Sequence, residues 1–482
     1  MRLSTTEDAV DTEEDMRKPP RPLCPLWWRV IITASLALKV AVPSGAPSVY
    51  PTGTTIFHPD QAWSGYTAFV TPDEDGVMVV DMNGRLVKSW TGVSGAAGGP
   101  ARVLPGGYVI AGTGGGAPHQ ESPAVVELDW NGKEVWRFDR SEQVKTADGQ
   151  MKWSARQHHD WQRPSYPAGY YAPGVQPAVT GGSTLLLTHT AVTNTAVSDR
   201  PLEDDRLIEV SWDGAITWDW RASDHADELG FSADARAVIR QAIGFSRARD
   251  SYDWLHVNAA SYVGPNQWYD AGDARFAPDN VLISSRESNF MAIVARTGKV
   301  VWRMGPDYRE SETLSKLGQI IGQHNPHIIP KGLNGAGNLL VFDNGGAAGY
   351  GSSNPAAPDG RNAIRRGSSR VVEINPVTFA KVWEYAVGGQ ESYRFFSHYV
   401  SGAQRLPNGN TMITEGADGR IFEVTAAGAI VWEYVSPFFT KNGDSNRVYR
   451  AYRIPYDWLP IARPSERAVI PPAVKDFHLN AQ

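Results

Sequence analysis

With 482 residues, 41% hydrophobic and 20% charged, the chain is globular in composition, and a net charge of −6 with a pI near 6.0 offers no basic field to nucleic acid. Its 47 glycines and 33 prolines, without fibrous periodicity, call for many short elements joined by turns. The single cysteine, Cys24, excludes an intrachain disulfide framework and a cysteine-built zinc site.

Residues 1–21 are polar and include the acidic run TEDAVDTEED; LCPLWWRVIITASLALKVAVPSGA follows. An apolar stretch Val30–Leu38 behind Arg29, then the small residues Ser44–Ala46, reads as an export signal. Arg29 and Lys39 keep it shorter than the roughly 20 residues of a bilayer span. The bland alternative is a disordered leader with an apolar patch. Export to the periplasm or the exterior is the expectation, with membrane contact only through this segment. The chain therefore divides into a leader, 1–48, one folded domain, 49–460, and a tail, 461–482.

One hairpin then recurs six times: MVVDMNGRLVKSW with Trp90, VVELDWNGKEVWRF with Trp136, LIEVSWDGAITWDW with Trp218, MAIVARTGKVVWRM with Trp302, VVEINPVTFAKVWEY with Trp383 and IFEVTAAGAIVWEY with Trp432. Each copy is an alternating apolar strand, a short turn usually carrying Gly, and a second strand holding Trp. A further turn and strand precede most copies: RVLPGGYVIAG (102–112), GGSTLLLTH (181–189), DNVLISSRE (279–287), GNLLVFDNG (337–345) and RLPNGNTMITEG (405–416). With an initial strand, each unit has four. Four-stranded units repeated six times predict an all-β, six-bladed β-propeller. A β-sandwich would not repeat one Trp hairpin six times, and a solenoid needs closer, regular spacing.

The Trp-to-Trp spacings of 46, 82, 84, 81 and 49 place insertions in the middle blades. One of these, SADARAVIRQAIGFSRA (232–248), predicts a small surface helix, with Ser232 as N-cap and Val238, Ile239, Ala242 and Ile243 on one face. The opening strand GYTAFVT (65–71) and the closing YRAYRIPYDWLP (449–460) are expected to meet in one blade.

Four histidine-bearing stretches fall at the start of first strands: QHHDW (157–161), LHVNA (255–259), QHNPH (323–327) and SHYVS (397–401). First strands line a propeller's channel, so these side chains are expected to converge on the axis. His324 is expected at the position equivalent to His256. Strand alternation and Pro326 argue against joint chelation by His324 and His327. His327 and His189 read as ordinary hydrogen-bonded residues, and His58, His119, His225 and His478 receive no role. Arg286, in ISSRES, offers a planar donor fork for an oxyanion, or pairs with Glu287 or Asp343; Asp343 and Asn344 end the matching strand in FDNG. Three chemistries suit the set: group transfer through an imidazole, metal ligation, against which Arg286 counts, and a non-catalytic interaction platform.

DWLHVN (253–258), SSR (284–286), GQH (322–324), FDNG (342–345) and SGAQRLPNGNT (401–411) together resemble the bacterial arylsulfotransferases (arylsulfate sulfotransferases), over roughly residues 50–460. The resemblance implies a six-bladed propeller without nucleotide donor or other cofactor. It also implies ping-pong sulfuryl transfer from a small-molecule aryl sulfate to a phenolic acceptor through a sulfohistidine. His324 would be the nucleophile, with His256, His159 and Arg286 as catalytic partners and Asn258 beside them; His158, His398 and Asn344 are expected to face substrate from their places at the strand ends, His398 lying outside the set the resemblance carries over, and no metal is required. His159 is preferred to His158 because Asp160 follows it. Two departures, Glu287 after Arg286 and Asn325 after His324, keep a histidine-ligated metalloenzyme or an interaction propeller as alternatives.

Overall fold

The structure, a computed structural model, describes residues 51–72, 76–93, 99–113, 120–145, 149–241 and 252–471. The leader, the end of the tail, and Ala242 and Ile243 of the insertion lie outside the described residues.

Alternating apolar strands joined by tight turns build six antiparallel sheets, each taken here from its inner strand outward. The first is Ala451–Ile454, Tyr66–Val70, Val77–Val80 and Leu86–Trp90; the second is Arg102–Leu104, Tyr108–Gly112, Val125–Leu128 and Glu134–Phe138. The third is Gln157–Gln162, Ser183–Val192, Leu202–Ser211 and Ile216–Arg221, and the fourth Val257–Tyr262, Val281–Ser285, Phe290–Val294 and Val300–Met304. The fifth is His324–Ile328, Leu339–Asp343, Arg370–Ile374 and Lys381–Ala386. The sixth, Gly402–Arg405, Thr411–Glu415, Arg420–Val424 and Ile430–Val435, gains Gly53–Phe57 on its outer edge. The fold is a six-bladed β-propeller. As expected, the opening and closing strands pair, Tyr66 opposite Ile454 and Phe69 opposite Ala451.

The repeated tryptophan does more than fill the core. Each indole Nε1–H donates to a carbonyl in the hairpin turn of the next blade: Trp90 to Asp129 (2.9 Å), Trp136 to Trp212 (3.0 Å), Trp218 to Arg296 (3.1 Å), Trp302 to Pro376 (2.7 Å) and Trp383 to Ala426 (2.9 Å). Trp432 donates to Met82 of the first blade at 2.8 Å, which closes the circle. The receiving turns are held in shape by their own side chains: Asp81 Oδ1 accepts from the backbone of Asn83 and Arg85, both at 2.9 Å, and Asp129 repeats this with Asn131 and Lys133.

A second, largely buried circuit links third strands to the inner strand of the following blade or the residue just past it. Glu127 meets Arg163 (2.5 Å), Glu373 meets Arg405 (2.6 Å), Glu423 meets Arg453 (3.3 Å), and Glu209 accepts from the hydroxyl of Tyr262 (2.8 Å). A buried carboxylate needs such a partner, because an unpaired one costs several kcal/mol (about 3–5).

The insertion in the third blade folds as the helix Ala233–Gln241, and Ser232 Oγ accepts from Ala235 N at 3.2 Å, the expected cap. An unforeseen hairpin, Gly346–Tyr350 with Arg361–Arg366, interrupts the fifth blade. It docks where the fourth blade begins: Gly349 N donates to Glu287 O (2.9 Å), and the Tyr350 hydroxyl to Trp254 O (2.6 Å).

Candidate active site

The channel ends of the inner strands are irregular in a repeated way. Arg156 (φ 48°), His256 (φ 50°), Gly322 (φ 58°) and Ser401 (φ 89°) all take left-handed backbone, and bulges interrupt the pairing of the third, fourth and fifth inner strands. For residues with a Cβ this conformation costs of order 1–3 kcal/mol, and such strain concentrates at functional sites. Matching backbone bonds align the blades: His189 N donates to Arg156 O (2.9 Å), Arg286 N to His256 O (3.2 Å), and Glu287 N to Leu255 O (3.2 Å) as Gly345 N does to Ile321 O (3.0 Å). His189, Arg286 and Asn344 are therefore equivalent, as are Arg156, His256 and Gly322. The expected equivalence of His324 with His256 gives way: two residues beyond the left-handed position, His324 matches Asn258 and His158. The bulges shift the register by amounts that sequence spacing does not display.

His324 is buried, and its Nδ1 faces Asn344 Oδ1 (2.8 Å) and Gly322 O (3.0 Å), both acceptors. The proton must sit on Nδ1, leaving the lone pair on Nε2. Burial, with Arg286 and Arg450 nearby, holds its pKa well below the usual imidazole value, so it is neutral at pH 7. Asn344 has its amide engaged too, its Nδ2 donating to Ser397 O (2.6 Å) and Val400 O (2.9 Å). It orients His324 rather than offering itself to a ligand. Gly345, which follows, has φ 72°, and a Cβ there would lie 2.2 Å from Ser368 O, so only glycine fits FDNG.

His256 and His159 stand edge to face, ring centroids 4.7 Å apart. His256 Nδ1 meets Asp253 Oδ2 at 2.6 Å, and its backbone N–H donates to Asp253 Oδ1 at 2.9 Å. Burial pushes the Asp253 carboxyl up, but His256 and His189 together hold the pKa below the ordinary value. His159 Nδ1 lies 2.8 Å from His158 Nδ1, so one of the two carries the shared proton. Burial and neighbouring imidazoles lower both well below the usual histidine value. His158 lies a layer behind, stacked on His189 at 3.6 Å and 3.4 Å from Asp205 Oδ1.

The sequence reading missed Arg450, on the closing segment. Its guanidinium is buried, pairs with Asp160 Oδ2 (2.9 Å) and donates to Asn258 O (2.7 Å). Asp160 is shared with Arg102 at 2.5 Å, so one carboxylate from HHD ties three inner strands together. RAYRIP reads as part of the closing strand, but nothing local in it marks Asp160 or the Asn258 carbonyl as partners of Arg450. Asn258, expected to bind substrate, donates its Nδ2 to Gln323 O (2.7 Å), joining two inner strands beside His324.

Arg286 pairs with Glu287, the bland expectation for it, and is partly exposed. It packs beside Gly322 and reaches a surface cavity of about 580 Å³ lined by Gly346, Ala347, Arg365, Arg366, Gly367, Phe396 and His398. His398 is exposed at this mouth, 4.5 Å from the Tyr399 ring, while burial of part of its ring and Arg286 lower its pKa. His327 is bound on both nitrogens, to Asn325 O (3.0 Å) and the Tyr170 hydroxyl (2.9 Å), and burial lowers it to about 4. His189 faces Glu121 Oε1 at 3.2 Å.

The fold and this axial cluster define a propeller with a histidine-rich centre and guanidinium groups beside it. Residues 178–435, more than half the chain, match the family described as Arylsulfotransferase (ASST), and the chain belongs to that family. The match takes in His256, Arg286, His324, Asn344 and His398; His158, His159 and Arg450 lie outside it. Family membership points to a transferase acting on small aryl compounds. No curated protein matches the chain. Similar solved structures include a Bacteroides caccae protein of unknown function (10% identity, 81% of this chain and 99% of that one, TM-score 0.39). Virginiamycin B lyase from Staphylococcus aureus is 10% identical over 82% and 88% of the two chains, TM-score 0.31. The Cps50 (Swd1) β-propeller domain of Myceliophteria thermophila is 10% identical over 82% and 90%, TM-score 0.35.

Proposed function

We propose that the chain transfers a sulfuryl group from a phenolic sulfate ester to another phenol by a ping-pong mechanism through a sulfohistidine at His324. The observation that carries this reading is the double engagement of His324 Nδ1, which leaves the lone pair on a neutral Nε2. In the first half-reaction Nε2 attacks sulfur, the S–O(aryl) bond breaks, and the phenolate takes a proton from His256, whose Nδ1 is anchored by Asp253. Water is not the acceptor; in the second half-reaction the acceptor phenol returns its proton to His256 as its oxygen takes the sulfuryl group from Nε2. Arg286 and the His159 ring supply donors for the sulfuryl oxygens as charge redistributes, and His398 and Arg286 flank the mouth through which a donor would enter. Asn344 and Asn258 support the reading as residues that position His324 and its strand.

The test is incubation with 4-nitrophenyl sulfate and a phenol. A burst of nitrophenol, with mass spectrometry locating one sulfuryl group on His324, is expected. Transfer that persists in His324→Ala would overturn the reading. Export is part of the proposal, supported by Val30–Leu38 behind Arg29. Among the described residues no helix is long and apolar enough to cross a membrane. Secretion of a fusion carrying residues 1–48, and its loss when Val30–Leu38 is made polar, tests that part.

A further inference from the structure

One layer behind His159, the third blade gathers a second set of donors that the transfer chemistry does not consume. His158 Nε2 and Asp205 Oδ1 stand 3.4 Å apart outside hydrogen-bond geometry, and neither atom has a hydrogen-bond partner although both residues are 1% exposed. His189 directs its Nε2 to the same carboxylate oxygen at 4.0 Å, and the three atoms lie within 4.8 Å of one another. Their remaining atoms are already anchored. His189 Nδ1 faces Glu121 Oε1 at 3.2 Å, His158 Nδ1 faces His159 Nδ1 at 2.8 Å, and Asp205 Oδ2 accepts from Val257 N at 3.1 Å. An imidazole that gives its Nδ1–H to an outer acceptor keeps a lone pair on Nε2, the tautomer that metal-bound histidines require.

Charge points the same way. Glu121, Glu203, Asp205 and Asp253 are all buried around this spot, with Arg156 paired to both glutamates and His256 to Asp253. Asp205 is buried beside Asp253 and its Oδ1 accepts no hydrogen bond, a carboxylate that a low-dielectric interior tolerates only with a cation or a proton beside it.

We infer that His158, His189 and Asp205 form a binding site for a divalent transition-metal ion of the zinc class. Two neutral imidazoles and one carboxylate are the donor types such an ion takes, at about 2.0–2.2 Å each. Donors around a tetrahedral ion of that bond length stand roughly 3.3–3.6 Å apart. The 3.4 Å separation meets this, and the 4.0 Å separation has only a few tenths of an ångström to close. The rings of His158 and His189 lie nearly parallel, 15° apart, so the ion enters as one ring turns out of the stack. An ion on His158 Nε2 fixes the His158 proton on Nδ1, where it is donated to His159 Nδ1 and leaves His159 with an Nε2–H. That consequence rests on the proposed transfer chemistry; the ion site itself does not.

The experiment uses the full chain, loaded with zinc(II) or cobalt(II) and then dialysed against metal-free buffer. About one zinc per chain by elemental analysis is expected, with the visible bands of tetrahedral cobalt in the cobalt-loaded sample. His189→Gln and Asp205→Asn should each cut retained metal at least about tenfold, with unchanged far-ultraviolet circular dichroism. Wild-type chain that retains neither stoichiometric zinc nor the cobalt bands overturns the inference, and so do folded variants that keep a full equivalent. His324→Ala should lose transfer and keep its metal, so failure of the transfer reading and failure of the metal site give different results.

Discussion

The rim of the propeller and its axis are built from the same repeat, yet they obey opposite rules. At the rim every blade repeats one solution, a Trp indole donating to the next hairpin turn, with the six donors differing by only a few tenths of an ångström. At the axis the blades diverge. Left-handed residues and bulges displace neighbouring side chains, and His256, His324 and Arg450 arrive from three non-equivalent positions. Repetition at the rim supplies a rigid frame, and irregularity inside it supplies a site that no single blade contains.

Substitutions at the two regions should separate accordingly. The largest effect is expected from His324→Ala, which removes the proposed nucleophile: transfer should fall by at least about 10³-fold while the melting temperature stays within error. Arg453→Met leaves Glu423 buried without its ion-pair partner and should cost about 3–5 kcal/mol in denaturant unfolding. Asn344→Ala releases the His324 ring and should lower kcat by about 10²-fold with the fold intact. Acid probes the axis as a whole. His158, His159, His324 and His327 are buried with lowered pKa values, so below about pH 6.5 the unfolded chain binds protons that the folded one refuses. Stability is then full above that pH and falls by about 1.4 kcal/mol per pH unit for each such group, with His327 contributing until about pH 4. The smallest effect belongs to the rim: Trp383→Phe removes one of six equivalent hydrogen bonds and should cost about 0.5–1.5 kcal/mol without changing transfer.

The same contrast decides what could be read from the sequence. Strand alternation, Asn-Gly turns and a recurring Trp are local, so blade number, the hairpins, the Ser232 cap and the meeting of Tyr66–Val70 with Ala451–Ile454 were all legible. His159, His256, His324 and Arg286 were singled out because motifs accompanied them. Four things were not legible. Bulges change which residues correspond, which displaced His324 from the His256 position. Asp253, Asp205 and Glu121 act through side-chain contacts across blades, and acidic residues in strands carry no mark of that. Arg450 approaches Asp160 across 290 residues of chain. The hairpin Gly346–Tyr350 with Arg361–Arg366 lay inside a spacing that announced only extra length.

The closing strand gives the ring a built-in check on completeness. Ala451–Ile454 is the inner strand of the first blade, and Arg450, one residue before it, holds Asp160 and the Asn258 carbonyl. During synthesis those residues emerge after the six hairpins, so the ring stays open until nearly the whole domain has left the ribosome. A chain that stops short would keep five full blades, three strands of the first and every histidine of the cluster, yet lack the guanidinium that draws the inner strands together. Assembly of the axial cluster thus waits on the closing strand, and a prematurely terminated copy would lack the contacts of Arg450 that complete it.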